Sequence, residues 1–286
     1  MPELPEVQTV VNHLAQNIIG KVFENSLIHA PQMVNLDFAK NLKNKKIKNV
    51  SRRGKMIIID LAGGSTLLVH LKMTGQLVFV DNQGKASGGG HPINFKNFDV
   101  RSPNRFTRII LNFKDKTRLL FHDIRKFGWM KVLPNETVAK IVEEYGVEPL
   151  SKEFTLKVFT ALLDRRPNLK IKQLLLLQNL IAGIGNIYAD EILFAAKVRP
   201  TRQIKTLTRK EIKKIHQVII GKLKEAIKYG GTSVNTFVQA NGERGGFVER
   251  LKVYQRGGRP CVDCRANLLK IKIGGRGTVY CAHCQK

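Results

Sequence analysis

Apolar positions in the first twenty residues recur at helical spacing: Val7, Val10, Val11, Leu14 and Ile18 share one face, behind a proline at position 5 that suits a first helical turn. Beyond them the period changes. Short β-branched or aromatic runs at 55–61, 66–71, 77–80, 108–113 and 118–121 are separated by turn residues such as Gly63-Gly64 and Lys114-Asp115. That pattern predicts a mostly antiparallel β-sandwich with flanking helices. The stretch 81–104 is rich in Gly and Asn, contains Gly88-Gly89-Gly90, has little periodicity and reads as a surface loop. From Pro134 onward helical patterns take over, so 134–149 reads as an interdomain linker and 150–228 as a helical bundle. The fold class expected is α+β: an N-terminal sandwich over 1–133, a helical domain over 150–240, a connection over 241–257, and a cysteine-bearing segment over 258–286.

The chain of 286 residues is 43% hydrophobic and 25% charged, an ordinary globular composition that argues against a wholly disordered protein. Its charge balance is far from ordinary. Lys and Arg number 49 against 22 Asp and Glu, a formal net charge of +27 that implies a polyanionic partner. The basic residues are spread along the whole length instead of flanking an apolar segment, which favours nucleic acid over a membrane surface. Glu3 and Glu6 stand where a secretory signal would carry positive charge, and the longest apolar run, Leu174 to Leu177, is far short of a membrane span. A cytoplasmic, nucleoid-associated monomer is expected.

Three segments carry chemistry. Cysteine occurs only as Cys261-x2-Cys264 and Cys281-x2-Cys284, with 16 residues between the pairs. That spacing suits one structural Zn2+ held by four thiolates with no position open to water; two disulfides are the alternative, disfavoured in a reducing compartment. Arg265, Lys270, Lys272 and Arg276 lie between the pairs, and Leu269, Ile271, Ile273 before Gly274-Gly275 predict a basic hairpin. The second segment, 178–189 (QNLIAGIGNIYA), sets Gly183 and Gly185 ahead of a helix with Asn186 in the N-cap position. Such a helix start binds phosphate, and the same residues would also serve an αα-hairpin that merely packs. The third is Met1-Pro2-Glu3-Leu4-Pro5-Glu6. Once Met1 is removed, Pro2 is a secondary amine able to attack a sugar carbon and form a permanently cationic iminium, with Glu3 beside it for proton transfer and Glu6 one helical turn on. Ordinary helix-start chemistry would use the same string.

Together MPELPEV, AGIGNIYADE and the terminal cysteine hairpin resemble the formamidopyrimidine-DNA glycosylase (Fpg) family over nearly the whole chain, and Leu4 favours it over the related endonuclease VIII enzymes, which usually carry Gly there. The resemblance implies an N-terminal sandwich, a helix-two-turn-helix domain and a zinc finger, with double-stranded DNA held across the cleft between domains. It further implies a bifunctional glycosylase and abasic-site lyase of base excision repair. Such an enzyme excises 8-oxoguanine and formamidopyrimidines through a Schiff base on Pro2 and cuts the strand by β,δ-elimination. Glu3 would be the general acid/base, with Glu6 beside it. Lys55 would approach the sugar and phosphate, and Arg276 would grip phosphate near the lesion. Met73, Arg125 and Phe127 would fill the gap left by the extruded nucleotide. Lys172, Gly185 and Asn186 would contact the DNA backbone, and 241–247 would hold the lesion-recognition loop.

Some positions depart from the family pattern. Leu177 stands where an acid is usual, Arg265 where Gly commonly follows the second zinc cysteine, and Phe106-Thr107-Arg108 where the family has His-x-His. Arg105, Arg108 or His91 are the candidates for that histidine's phosphate contact. The competing functions are a glycosylase for oxidised pyrimidines and a non-catalytic damaged-DNA-binding protein; retention of Pro2, Glu3 and Lys55 argues against the latter.

Overall fold

Helix α1 (Leu4–Ile18) forms where the apolar stripe predicts it, with proline in its first turn and Val7, Val10, Val11, Leu14 and Ile18 buried. This computed structural model describes residues 1–90, 99–232, 238–239 and 246–286. The chain divides into two units, and α1 belongs to the first, 1–143 together with 229–248. Two antiparallel sheets surround it. One runs in the order β2 (Ile47–Arg53), β3 (Met56–Leu61), β4 (Ser65–His70), β9 (Trp129–Pro134). The other runs β1 (Phe23–Ile28), β7 (Thr107–Phe113), β8 (Arg118–Asp123), β5 (Gly75–Val80), β6 (Ala86–Gly90), β10 (Val238–Gln239). The stripe of α1 shares a single core with Ile57, Ile59, Leu67 and Val69 of the first sheet and Leu77, Phe79, Ile109, Leu111 and Phe121 of the second. Each such side chain, fully buried, contributes about 1.5–3 kcal/mol relative to exposure, which anchors the start of α1. The short helix α2 (Phe38–Leu42) lies between β1 and β2 in sequence.

Two readings of the sequence change here. The stretch 81–104 is not all loop, because Ala86–Gly90 forms β6 beside β5. Its glycines hide the strand from a hydrophobic pattern, and close packing explains them. A Cβ at Gly88 (φ +116) would lie 2.3 Å from the carbonyl oxygen of Leu77, and one at Gly90 (φ +147) would lie 2.4 Å from Cα of Gln76. The stretch 134–149 also carries structure: α3 (Asn135–Glu143) follows directly on β9.

The second unit comprises 144–228 with 249–286. It contains α4 (Leu156–Asp164), α5 (Ile171–Leu176), α6 (Asn186–Ala196), α7 (Arg209–Lys228) and the hairpin of β11 (Leu269–Ile273) and β12 (Arg276–Tyr280). The hairpin turns on Gly274 (φ +54) and Gly275 (φ +75), left-handed positions that glycine adopts without strain. Glu191, almost fully buried, accepts the backbone N–H groups of Lys252, Val253 and Tyr254 at 2.8–3.0 Å, tying the chain entering the hairpin to α6. Among the described residues no helix is long and apolar enough to cross a membrane.

Candidate active site and nucleic-acid interface

In the first unit the chain start is built into the domain. Pro2, Glu3 and Glu6 are buried, and Glu3 and Glu6 form a capping box in which Glu6 Oε2 accepts the backbone N–H of Glu3 at 2.8 Å. Glu6 Oε1 accepts both the backbone N–H (2.8 Å) and the hydroxyl (3.0 Å) of Thr232. Gly231 (φ +78) makes room for this contact, since a Cβ there would lie 2.9 Å from Glu6 Oε1. Glu6 therefore ties the start of α1 to Thr232.

Lys55 occupies the two-residue turn Gly54-Lys55 between β2 and β3, with Gly54 at φ +55, and it too is buried. The Met1 α-amine shares this environment. Desolvation holds its pKa below the ordinary value; Glu3 and Glu6 oppose the shift and Lys55 reinforces it.

His70, at the end of β4 opposite Met56, was not singled out from the sequence. Burial, then Lys72 and Lys55, bring its pKa down to about 3, so the ring is neutral. Its Nδ1 accepts the backbone N–H of Lys72 at 3.0 Å, which places the ring proton on Nε2.

Met73, Arg125 and Phe127 come together on two adjacent turns. Met73 is 40% and Phe127 52% exposed, far from the core placement their residue types suggest. The Arg125 guanidinium lies 4.5 Å from the centroid of the Phe127 ring. Asp123, fully buried, laces both turns: its carboxylate accepts the Thr74 hydroxyl, the Arg125 N–H at 3.1 Å and the Gly128 N–H at 2.8 Å. Arg108 donates to the carbonyls of Asp123 (2.6 Å) and Arg105 (3.1 Å), so its guanidinium braces the same region. His91 and residues 241–245 of the expected recognition loop lie outside the described residues; Phe247, at that loop's end, is fully buried.

In the second unit the N-cap of α6 is Gly185, and Asn186 is the first helical residue instead of the cap. Its side chain is drawn to the hairpin, where Nδ2 donates to the Gly277 carbonyl at 2.9 Å. Lys172 is also placed differently from expectation. It is fully buried and cannot face DNA, because its ammonium pairs with Asp190 at 2.7 Å and donates to Thr278 Oγ1 (2.7 Å) and the Gly277 carbonyl (3.1 Å). Burial pushes the Asp190 carboxyl up to about 7, against Lys172 and the Val279 N–H that it accepts at 3.1 Å. This pair locks β12 onto α6. Above it opens a cavity of about 410 Å³ lined by Asn186, Tyr254, Gln255, Lys270 and Gly277. The cavity lies at the N-terminal end of α6, and Asp190 also lines it. Arg276 is exposed at the start of β12.

The four cysteine sulfurs all lie within 4.8 Å of one another. Desolvation and the other three sulfurs push the Cys284 thiol up to about 12. Cys281 is drawn down to about 7 against its own desolvation by the backbone N–H groups of Cys284 and His283 and by Cys264. Four thiolates this close need a dication among them, and the set fits tetrahedral zinc.

Family models match almost end to end: the formamidopyrimidine-DNA glycosylase N-terminal domain over 1–130, its H2TH domain over 145–238, and the zinc finger found in FPG and IleRS over 258–286. The chain belongs to the formamidopyrimidine-DNA glycosylase family. It is 40% identical to the formamidopyrimidine-DNA glycosylase of Pelotomaculum thermopropionicum, covering all of this chain and 99% of that one, and 38% identical to that of Listeria innocua over the whole of both. Among solved structures it is similar to Lactococcus lactis Fpg bound to DNA containing an abasic site (TM-score 0.85, 32% identity, 99% of each chain) and to a point mutant of that protein bound to Fapy-dG DNA (TM-score 0.86, 32% identity, all of each chain).

As a DNA glycosylase of this family the protein carries one structural zinc ion, and Cys261, Cys264, Cys281 and Cys284 are the residues that hold it. The ion supplies a cross-link between the two knuckles. Arg265, in the family's glycine position, follows Cys264 with φ +67, and its N–H donates to the Cys261 carbonyl at 3.0 Å. A glycine would reach this left-handed conformation freely, which is the physical reason for the family preference.

The residues that sequence reasoning missed are those that hold others in place: His70, Asp123, Thr232, Asp190 and Glu191. Only His70 left a local signal, as the polar end of a strand immediately before the Leu-Lys-Met-Thr-Gly turn.

Proposed function

We propose that this protein excises oxidised purines, 8-oxoguanine and formamidopyrimidines, from duplex DNA and cuts the strand at the resulting abasic site, with Pro2 as nucleophile after removal of Met1. The observation that carries the reading is the buried cluster of Pro2, Glu3, Glu6 and Lys55 at the start of α1. Once Met1 is removed, the Pro2 nitrogen is a secondary amine that can attack a sugar carbon, with two carboxylates and an ammonium beside it. The Pro2 nitrogen bonds to C1′ as the glycosidic bond breaks and the base leaves with a proton. Opening of the sugar releases O4′, which takes a proton from Glu3, and leaves an iminium between proline and C1′. Loss of a C2′ proton then expels the 3′ phosphate, and a second elimination expels the 5′ phosphate.

In this mechanism Lys55 steadies phosphate charge near the sugar, and Glu6 holds Glu3 in register through the capping box. Met73, Arg125 and Phe127 occupy the space vacated by the flipped nucleotide, where exposed apolar surface offsets the cost of unstacking. Asn186, Arg276 and Lys270, which lines the cavity at the start of α6, hold the backbone. The reading places the protein in the cytoplasm, on the nucleoid, as a monomer; the net charge of +27 supports the polyanionic partner.

A second reading, excision of oxidised pyrimidines, is favoured by one observation: Lactococcus lactis Fpg, similar in structure, has been solved with DNA containing an oxidised pyrimidine. Borohydride trapping on duplexes carrying 8-oxoguanine, thymine glycol or an abasic site tests both. The expected result is a covalent adduct with the abasic and 8-oxoguanine duplexes, abolished by an N-terminal extension that blocks Pro2. Absence of any adduct from Met-processed protein would overturn the mechanism, and a clear preference for thymine glycol would overturn the substrate.

A further inference from the structure

The first unit carries a second cationic surface far from the chain start. Three backbone segments converge at the C-terminal end of α1: residues 20–24, the turn 43–48 before β2, and the β7–β8 turn at 114–116. Hydrogen bonds stitch them together. Phe23 N–H donates to the Lys45 carbonyl (3.0 Å), Asn44 N–H to the Phe23 carbonyl (2.9 Å), Ile47 N–H to the Lys21 carbonyl (2.9 Å) and Lys114 N–H to the Val22 carbonyl (3.0 Å). The segments bring seven lysines against two acids, Glu24 and Asp115, and Asp115 is already paired with Lys21.

Lys43, Lys46, Lys48, Lys114 and Lys116 are exposed and make no ion pair among the described residues. Like charges in such excess over acids destabilise the fold by mutual repulsion. Two further details run against stability alone. Lys116 sits at φ +66, a left-handed position where glycine would be unstrained. The glycine turn between β3 and β4 leaves space for Lys45, whose Nζ lies 2.9 Å from where a Cβ on Gly63 would be.

The catalytic end of the domain lies elsewhere. Glu3 caps one end of α1 and this cluster the other, and fifteen helical residues separate them by about 22 Å.

We propose that this lysine patch binds a second segment of double-stranded DNA while a first occupies the active site. The proposal rests on the reading of the protein as a DNA enzyme and extends it. Lysines without arginine are point charges suited to phosphates and not to base edges, so the second contact is independent of sequence. The helix that ends at the patch, α1, keeps its apolar stripe in the core and so offers no apolar face to a membrane surface. Such a contact would let the enzyme pass between neighbouring DNA segments without full release.

The experiment uses the full-length protein with its active site filled by a short donor-labelled duplex carrying an abasic analogue, and adds a longer acceptor-labelled undamaged duplex. Energy transfer between the duplexes is expected at low salt, falling with a log–log salt slope near 0.9 for each lysine engaged. The variant Lys43→Gln/Lys46→Gln/Lys48→Gln/Lys114→Gln/Lys116→Gly should lose the transfer while excising lesions from the short duplex at the wild-type rate. A charge-matched control on the second unit, Lys205→Gln/Lys210→Gln/Lys213→Gln/Lys224→Gln/Lys228→Gln, should retain it. No transfer with wild-type protein would overturn the proposal, as would equal loss in both variants. So would patch-dependent binding to phosphatidylglycerol vesicles without capture of a second duplex. Failure of wild-type excision on the short duplex would count instead against the proposed function.

Discussion

Replacing Lys172 by methionine probes what holds the basic hairpin on α6. The substitution keeps length and volume but leaves the Asp190 carboxyl without its cation in a site where both partners are at most 1% exposed. Removing one partner of a buried pair costs about 3–5 kcal/mol. The deficit should also depend on pH. A carboxyl whose folded pKa lies above its unfolded value binds more protons when folded, so stability is gained as pH falls below the folded pKa. In the wild type that value is about 7; in Lys172→Met it is higher, because the ammonium no longer opposes burial. Above the variant's value the full deficit is present. Between that value and about 7 only the variant gains, and the deficit shrinks by about 1.4 kcal/mol per pH unit. Below about 7 both proteins gain equally and the deficit levels off.

Urea midpoints of wild type and variant followed from alkaline to mildly acidic pH measure this directly. Lys172→Met combined with Asp190→Asn should recover most of the loss at high pH, since the amide stays neutral while still accepting the Val279 N–H. The hairpin also loses its anchors at Gly277 and Thr278, so DNA affinity should fall in the single variant. A Lys172→Met protein as stable as wild type at high pH, or a deficit that ignores pH, would refute the account.

Arg265→Gly should raise the unfolding temperature by a few degrees, because the left-handed conformation at φ +67 costs a non-glycine residue about 1–2 kcal/mol; an unchanged or lower midpoint would count against strain there. His70, neutral when folded with a pKa of about 3 and ordinary when unfolded, stabilises the protein above about pH 6.5 and loses that contribution as pH falls. Wild type should therefore lose up to about 1.4 kcal/mol per pH unit below 6.5 relative to His70→Asn, and parallel curves in thermal melts would contradict this. Cys264→Ser should lower zinc content and weaken DNA binding; zinc-depleted protein that binds DNA at wild-type strength would remove the brace role from the finger. Thr232→Val deletes one of the two hydrogen bonds to Glu6 Oε1 and should lower the excision rate more than substrate affinity, which single-turnover kinetics would separate from a binding defect.

Much of the fold is visible in the order of the residues because its periods are strong. The α1 stripe and five strand runs each bury a contiguous apolar set, and burial of such sets is the largest favourable term in folding. β6 escaped because Ser87-Gly88-Gly89-Gly90 has almost no hydrophobic pattern. The strand exists because the β5 backbone approaches too closely for side chains, a long-range constraint that no local period encodes.

The candidate site divides along the same line. Pro2, Glu3 and the cysteines stand in short motifs whose spacing is itself the chemistry, whereas Lys55 by itself reads as one more surface charge. Residues acting through others have no such spacing: Thr232 meets Glu6 across 226 positions, and Asp190 meets Val279 across 89. Lys172 shows the consequence most sharply. One lysine among 49 basic residues reads as a DNA contact through the family resemblance, yet a buried ammonium must be paired, and its partners lie on α6 and β12. In a chain this basic, charge identifies the partner, while burial decides which cations are free to touch it.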